Sequence, residues 1–317
     1  MMDFQEYSRC ELCPRRCGAD RLAGQTGFCG ESARLRIASI GPHFGEEPPL
    51  VGVVGSGTVF FTGCSTGCFF CQNHQLSGEH LGDYAETDEV VRRILEMAAG
   101  GVRNINLVTP EHFWPHIRLI ISEVRKAGCD LPWVWNCSGY FRTEMLRQQA
   151  DMVDIFLPDF KYADPELARL CMGRDDYPRI AMEGLKYLVD RLGFLRPFDE
   201  SGEMAPSRGV LVRHLVLPGE VENSLKAIRM LYDAFGPMLP ISVMRQFRPM
   251  PECFRRQHLT RLVNDREYDA VVDLVYELGF RRVFIQPDCG DPDFVPDFRQ
   301  RNAPFRGNER AVNQSEG

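Results

Sequence analysis

Cysteine spacing constrains this chain more than any other feature. Residues 57–73 read Gly-Thr-Val-Phe-Phe-Thr-Gly-Cys-Ser-Thr-Gly-Cys-Phe-Phe-Cys-Gln-Asn, so Cys64, Cys68 and Cys71 follow the pattern Cys-x3-Cys-x2-Cys. An apolar, strand-like run over 59–62 delivers the chain to them. Gly63 and Gly67 let the backbone wrap tightly, because glycine has no Cβ to clash in left-handed conformations. Three thiolates on a short loop fall one short of a closed zinc site. They suit three irons of a [4Fe–4S] cube, with the fourth iron left open to a small molecule.

A second set, Cys10, Cys13, Cys17 and Cys29, has the spacing Cys-x2-Cys-x3-Cys-x11-Cys, with Pro14, Gly18, Gly24, Gly27 and Gly30 between. So short a segment buries little core, and a metal would supply its folding energy. Four thiolates fit a closed zinc site or a second iron–sulfur cluster, and spacing does not choose between them. Cys129, Cys137, Cys171 and Cys253 lack ligand spacing and read as small buried thiols. Cys289, in Pro-Asp-Cys-Gly-Asp, reads as a loop thiol able to donate a hydrogen atom. Twelve cysteines without an export signal point to ligands in a reducing cytoplasm. A net charge of −7 argues against a general nucleic-acid binder. No apolar run approaches the roughly 20 residues that span a bilayer, so no membrane is expected.

Strand-like runs at 35–40, 59–62, 104–108, 133–136, 155–157, 209–217, 240–246 and 282–286 alternate with helical patterns. The helices are expected at 88–99 (N-cap Thr87), 115–127, 143–149, 165–172, 180–193, 222–235 and 265–278. That alternation predicts a parallel α/β sheet, open or closed into a barrel. In either form ligands gather at the carboxyl ends of strands. The cysteine loop, Thr109-Pro110, the run from Asn136 through Ser138 to Gly139, and Asp159 with Lys161 all fall there. His43, Glu46 and Glu47 lie in the Pro-punctuated stretch 41–49, and read first as surface-loop residues. Three segments are expected: a Cys-rich arm and connector (1–50), an α/β body (51–290), and a flap with a disordered tail (291–317).

With Phe70 immediately before the third cysteine, the motif resembles the signature of the radical S-adenosylmethionine (SAM) superfamily. Cys71-Gln72-Asn73, the run 157–161 (Leu-Pro-Asp-Phe-Lys) and the run 213–219 (Arg-His-Leu-Val-Leu-Pro-Gly) further resemble the activating enzymes of glycyl-radical enzymes, pyruvate formate-lyase activating enzymes among them. This resemblance covers roughly 57–250. The arm cysteines, Glu46-Glu47-Pro48-Pro49 and Val108-Thr109-Pro110 look like uncharacterised paralogues of that group.

The resemblance implies a partial (β/α)6 barrel and an oxidoreductase. In such enzymes an electron from the cluster cleaves SAM to a 5′-deoxyadenosyl radical. It implies Cys64, Cys68 and Cys71 as cluster ligands, Phe70 against adenine, and Arg213 on the SAM carboxylate. Asp159 and Lys161 would contact SAM or a neighbouring monovalent cation, and Thr109, Asn136 and Ser138 would line the SAM site. Two departures stand out. Thr109-Pro110-Glu111 replaces Gly-Gly-Glu, and Asn136 replaces an aspartate near the cation. Glu111, His112 and Gln246 are further polar candidates at the rim. Implied partners are a flavodoxin or ferredoxin as reductant and a glycyl-radical enzyme as protein substrate. Alternatives are the same chemistry on a small molecule or another peptide, or a non-catalytic iron–sulfur electron carrier.

Overall fold

The structure, a computed structural model, describes residues 4–286, 295–300 and 304–305. Asp288, Cys289 and Pro292 lie outside these residues. The strands are β1 (Arg36–His43), β2 (Ser56–Phe61), β3 (Asp83–Tyr84), β4 (Ile105–Val108), β5 (Trp133–Cys137), β6 (Ile155–Pro158), β7 (Gly209–Val210), β8 (Val212–Leu215), β9 (Ile241–Met244) and β10 (Val283–Ile285). The helices are α1 (Pro48–Val51), α2 (His74–Ser77), α3 (Thr87–Ala99), α4 (Trp114–Lys126), α5 (Thr143–Met152), α6 (Pro165–Met172), α7 (Tyr177–Leu192), α8 (Val221–Phe235), α9 (Pro251–Arg256) and α10 (Asp265–Glu277).

From β2 onward, β3 apart, the strands pair in parallel and in chain order: β2 with β4, β4 with β5, β5 with β6, β6 with β7, β8 with β9 and β9 with β10. An open doubly wound sheet would reverse this order at a switch point. None occurs among the described strands, and this order is that of a partial barrel. The run 209–217 expected as one strand divides at Leu211. Leu211 still donates to the Phe156 carbonyl (3.0 Å), and Phe160 donates to that of Arg213 (2.8 Å), so the sheet continues across the break. Asp159 and Arg213 form an isolated parallel bridge at the same seam.

Side chains alternate between faces along each strand. Ile105, Leu107, Trp133, Trp135, Phe156 and Val212 point outward into the main core beneath the helices. There α3, α4, α5 and α7 pack in succession, and α8 packs on α10. The opposite residues point inward. Val134, Ile155, Leu157 and Leu211 form a small apolar floor, closed from below by Leu50 of α1. The next inward layer is polar: Asn106, Asn136, Asp159 and Arg213.

The connector belongs to the sheet. β1 runs antiparallel to β2, from Ile37 opposite Phe61 to His43 opposite Ser56, and β3 adds to its far edge. The boundary expected at residue 50 therefore falls inside α1, whose Leu50 is buried in the barrel floor. Thr87 begins α3 rather than capping it; Glu86 holds the cap position. The described part of the C-terminal segment folds back on the body. Phe298 is buried with Ala38, Phe60, Leu76 and Val108, and Phe305 packs against the same group.

Candidate functional site

The carboxyl ends of the parallel strands open into a cavity of about 690 Å³, within the ~300–1,000 Å³ usual for small-molecule sites. Cys64, Cys68, Cys71, Phe70, Thr109, Asn136, Ser138, Asp159, Lys161 and Arg213 all line it. These ten residues are thus brought together on one surface, as is Gln246, whereas Cys10, Cys13, Cys17 and Cys29 do not line the cavity.

The cysteine loop leaves β2 through Gly63 (φ +78) and turns again at Gly67 (φ +60). Gly63 has no room for a side chain: a Cβ there would lie 2.6 Å from the Cys29 carbonyl and 2.6 Å from Glu31 Cγ. The Thr66 amide donates to Cys64 Sγ (3.4 Å), and Tyr162 donates its hydroxyl to Cys68 Sγ (3.1 Å). Burial, then the charge of Cys71, pushes the Cys64 thiol up to about 12. Burial also raises that of Cys71. Thiols in such surroundings become thiolates when a metal centre supplies the compensating charge. Phe70 is buried edge-on against Tyr162 and Phe247 (ring centroids 6.5 and 5.8 Å).

Across the cavity, Lys161 pairs with Asp159. Burial alone would lower the Lys161 pKa, but Asp159 and the neighbouring Cys68 outweigh it and hold it above the ordinary lysine value. The carbonyls of Ser138 and Asp159 both accept from Tyr177 Oη (2.8 and 2.9 Å), which ties β5 to β6 at the rim. Thr109 sits at φ +53 with its amide on the Asn136 carbonyl (2.9 Å). A β-branched residue at positive φ is a genuine outlier, and such strain concentrates at functional sites.

Arg213 has partners that the sequence did not suggest. Its guanidinium is buried, with Nε on Glu47 Oε1 (2.9 Å) and Nη2 on both Glu46 and Glu47. Glu46 Oε1 also accepts from the side-chain amides of Asn106 (2.9 Å) and Asn136 (3.2 Å). Burial would raise the Glu46 pKa, but Arg213 more than offsets it and holds it low. His43 lies nearby, its pKa lowered chiefly by burial. The three residues read as surface-loop polar groups therefore line the cavity. The usable signal was Glu46-Glu47 ahead of Pro48, because proline at the first turn of a helix anchors the preceding loop.

Glu111 and His112 are buried beside the rim rather than on the cavity wall. Neither oxygen of Glu111 has a hydrogen-bond partner among the described residues. Burial pushes its pKa up to about 7; the amides of Glu111 and Ser138 pull it down without being aligned to donate. His112 is neutral, its pKa pushed down to about 3 by burial, and its Nε2 meets the Thr62 carbonyl at 2.7 Å.

The cysteine-rich arm docks directly on this site. Arg15 donates through Nε to the Ser65 carbonyl (2.9 Å) and through Nη2 to those of Thr66 (2.8 Å) and Met172 (2.6 Å). Glu31 accepts from Thr62 Oγ1 (2.8 Å) and lies 2.8 Å from His80 Nδ1. No helix among the described residues is long and apolar enough to cross a membrane.

The chain is 25% identical over 292 residues to the uncharacterized protein MJ0674 of Methanocaldococcus jannaschii, covering 88% of this chain and 77% of that protein. Among solved structures, Streptococcus suis SuiB bound to precursor peptide SuiA aligns with a TM-score of 0.49 at 10% identity, over 72% of this chain and 47% of SuiB. This chain thus spans about half the length of SuiB. Methylornithine synthase (PylB) aligns with a TM-score of 0.40 at 15% identity, over 80% of this chain and 79% of PylB. The family model of the Radical SAM superfamily matches residues 58–232. That span runs from the strand feeding the cysteine loop through the strand carrying Arg213, and by it the chain belongs to the radical SAM superfamily.

Proposed function

We propose that this radical SAM enzyme removes a hydrogen atom from a glycine of a partner glycyl-radical enzyme. The family implies a [4Fe–4S] cluster and SAM. The bound pair would supply a 5′-deoxyadenosyl radical through one electron from a reductant such as flavodoxin or ferredoxin. The single observation carrying the reading is that Cys64, Cys68 and Cys71 open onto the same cavity as the strand-end residues.

The residues present fit both groups. Cys64, Cys68 and Cys71, on one glycine-turned loop that lines the cavity, would hold the cluster with one ligand position left to a small molecule. Glu46, Glu47 and Asp159 face only Arg213 and Lys161 in the ion pairs of the wall. One negative charge is left over, which suits a sulfonium cation. Lys161 keeps donors beyond Asp159 for the SAM carboxylate, since an ammonium has three. Arg213, already clamped by two carboxylates, would act on that carboxylate less directly than the resemblance implies, and would chiefly hold Glu46 at the wall. Phe70 would bound the adenine side, and Thr109, Asn136 and Ser138 would offer backbone and amide groups along β4 and β5.

The test is anaerobic reconstitution with iron and sulfide, followed by dithionite and SAM. Formation of 5′-deoxyadenosine and methionine is expected, and its absence from fully loaded protein would exclude the enzyme reading. Electron paramagnetic resonance with candidate glycyl-radical proteins should then show a glycyl doublet. Cleavage of SAM without that doublet would direct the search to a small-molecule or other peptide substrate.

A further inference from the structure

The arm places a buried cation among its thiols. Arg21 is 1% exposed and stacked over the Tyr7 ring, 4.4 Å from its centroid. Its guanidinium donates to the carbonyls of Ser32 (2.7 Å) and His112 (2.5 Å) and to Cys10 Sγ (3.7 Å). Among the described residues it has no carboxylate partner. A buried charge normally has an opposite charge beside it, and the groups able to carry one here are thiols.

Two of the arm's thiols converge. A Cβ on Gly27 would lie 3.0 Å from Cys17 Sγ and 3.6 Å from Cys29 Sγ, so both sulfurs face one position that glycine keeps open. The spacing Cys10-x2-Cys13-x3-Cys17 is that of Cys64-x3-Cys68-x2-Cys71 reversed. All seven cysteines are free.

We propose that Cys10, Cys13, Cys17 and Cys29 hold a second, closed iron–sulfur cluster whose anionic thiolates balance Arg21. Four thiolates around a doubly charged cluster leave a net negative centre, the counter-charge that the guanidinium lacks. Iron–sulfur is favoured over zinc because the first three arm cysteines repeat, in reverse, the spacing of the set implied to hold the family's cluster. With four protein ligands this centre has no open iron, so it binds no SAM. It lies against the first site: the Cys29 carbonyl touches Gly63, the residue before Cys64.

The test uses the full chain, isolated and reconstituted without oxygen. About eight irons and eight sulfides per chain are expected, against about four for the Cys64 cluster alone. Mössbauer spectroscopy of the wild type should resolve two iron populations, of which SAM perturbs one. Cys17→Ser should halve the iron and leave the SAM-sensitive population; Cys64→Ala should halve it and remove that population. One equivalent of zinc that disappears in Cys17→Ser would overturn the iron–sulfur assignment. Iron and zinc unchanged in Cys17→Ser, with a single iron population in the wild type, would overturn the site. Neither result bears on the Cys64 cavity, whose own readout is SAM cleavage.

Discussion

The Cys29 carbonyl oxygen fills the space that a side chain on Gly63 would need, at 2.6 Å from a Cβ placed there. The arm and the cysteine loop are therefore in backbone contact at a residue that also requires positive φ. Gly63→Ala should combine conformational strain of about 1 kcal/mol with displacement of the arm. Gly128→Ala is the matched control, since Gly128 has φ +86 but nothing within 4 Å of its Cβ. Urea unfolding should show Gly63→Ala losing roughly twice or more the stability lost by Gly128→Ala. Equal losses would mean that the contact with Cys29 contributes nothing.

Arg213 holds two carboxylates in the barrel wall, and its removal should be felt by the whole fold. Breaking a buried ion pair from one side typically costs about 3–5 kcal/mol, because the charge left behind is uncompensated. Arg213→Met, measured by urea unfolding at neutral pH, should lose stability in that range. The triple variant that adds Glu46→Gln and Glu47→Gln should recover most of it. A triple variant no more stable than Arg213→Met would show that packing, not charge, was lost.

What could be read from the sequence follows from the range of the forces involved. Strand alternation and helix periodicity are local, so β4 to β6 and α6 lie where the pattern puts them, and the period of two already aims Asn136 and Asp159 inward. The cysteine loop is local too, set by two glycines within five residues. Arg213 meeting Glu46 and Glu47 is not local. It joins residues 167 and 166 positions apart and depends on the antiparallel β1–β2 pairing, which carries the connector to the amino-terminal end of the strands, beneath the barrel. Arg15 and Arg21 were illegible for a related reason: an arginine in an aperiodic, glycine-rich arm looks like any solvated cation until its carbonyl acceptors on the body are known. The break at Leu211 depends on which strand each half pairs with, which no alternation of side chains encodes.

The C-terminal segment supplies a prediction that separates stability from access. Phe298 is almost fully buried beside Phe60, with ring centroids 5.1 Å apart. Phe305 lines the cavity and packs 4.2 Å from the His43 ring. Phe298→Ala should cost about 3–5 kcal/mol, as for other large-to-small core changes. Phe305→Ala should cost less and instead speed dissociation of SAM, read by stopped-flow release from loaded protein. Equal stability losses with unchanged release would remove Phe305 from the site.

Glu111 should give the chain a pH dependence of definite sign. Its carboxyl has a pKa of about 7 in the folded state against the ordinary 4.5, raised chiefly by burial and further by Asp159. A raised folded pKa means that the native chain holds this proton more tightly than the unfolded chain does. The resulting stabilisation is fully present below about pH 4.5, declines as pH rises, and is gone above about 7. Its full size is on the order of 3 kcal/mol by linkage. Glu111→Gln stays neutral throughout, so it serves as the reference at every pH. Urea unfolding at a series of pH values from 5 to 8 should show the wild type losing stability relative to Glu111→Gln as pH rises. A difference between the two proteins that does not change with pH would mean that Glu111 is ionised in the folded state, with a cationic or donor partner that its buried position does not reveal.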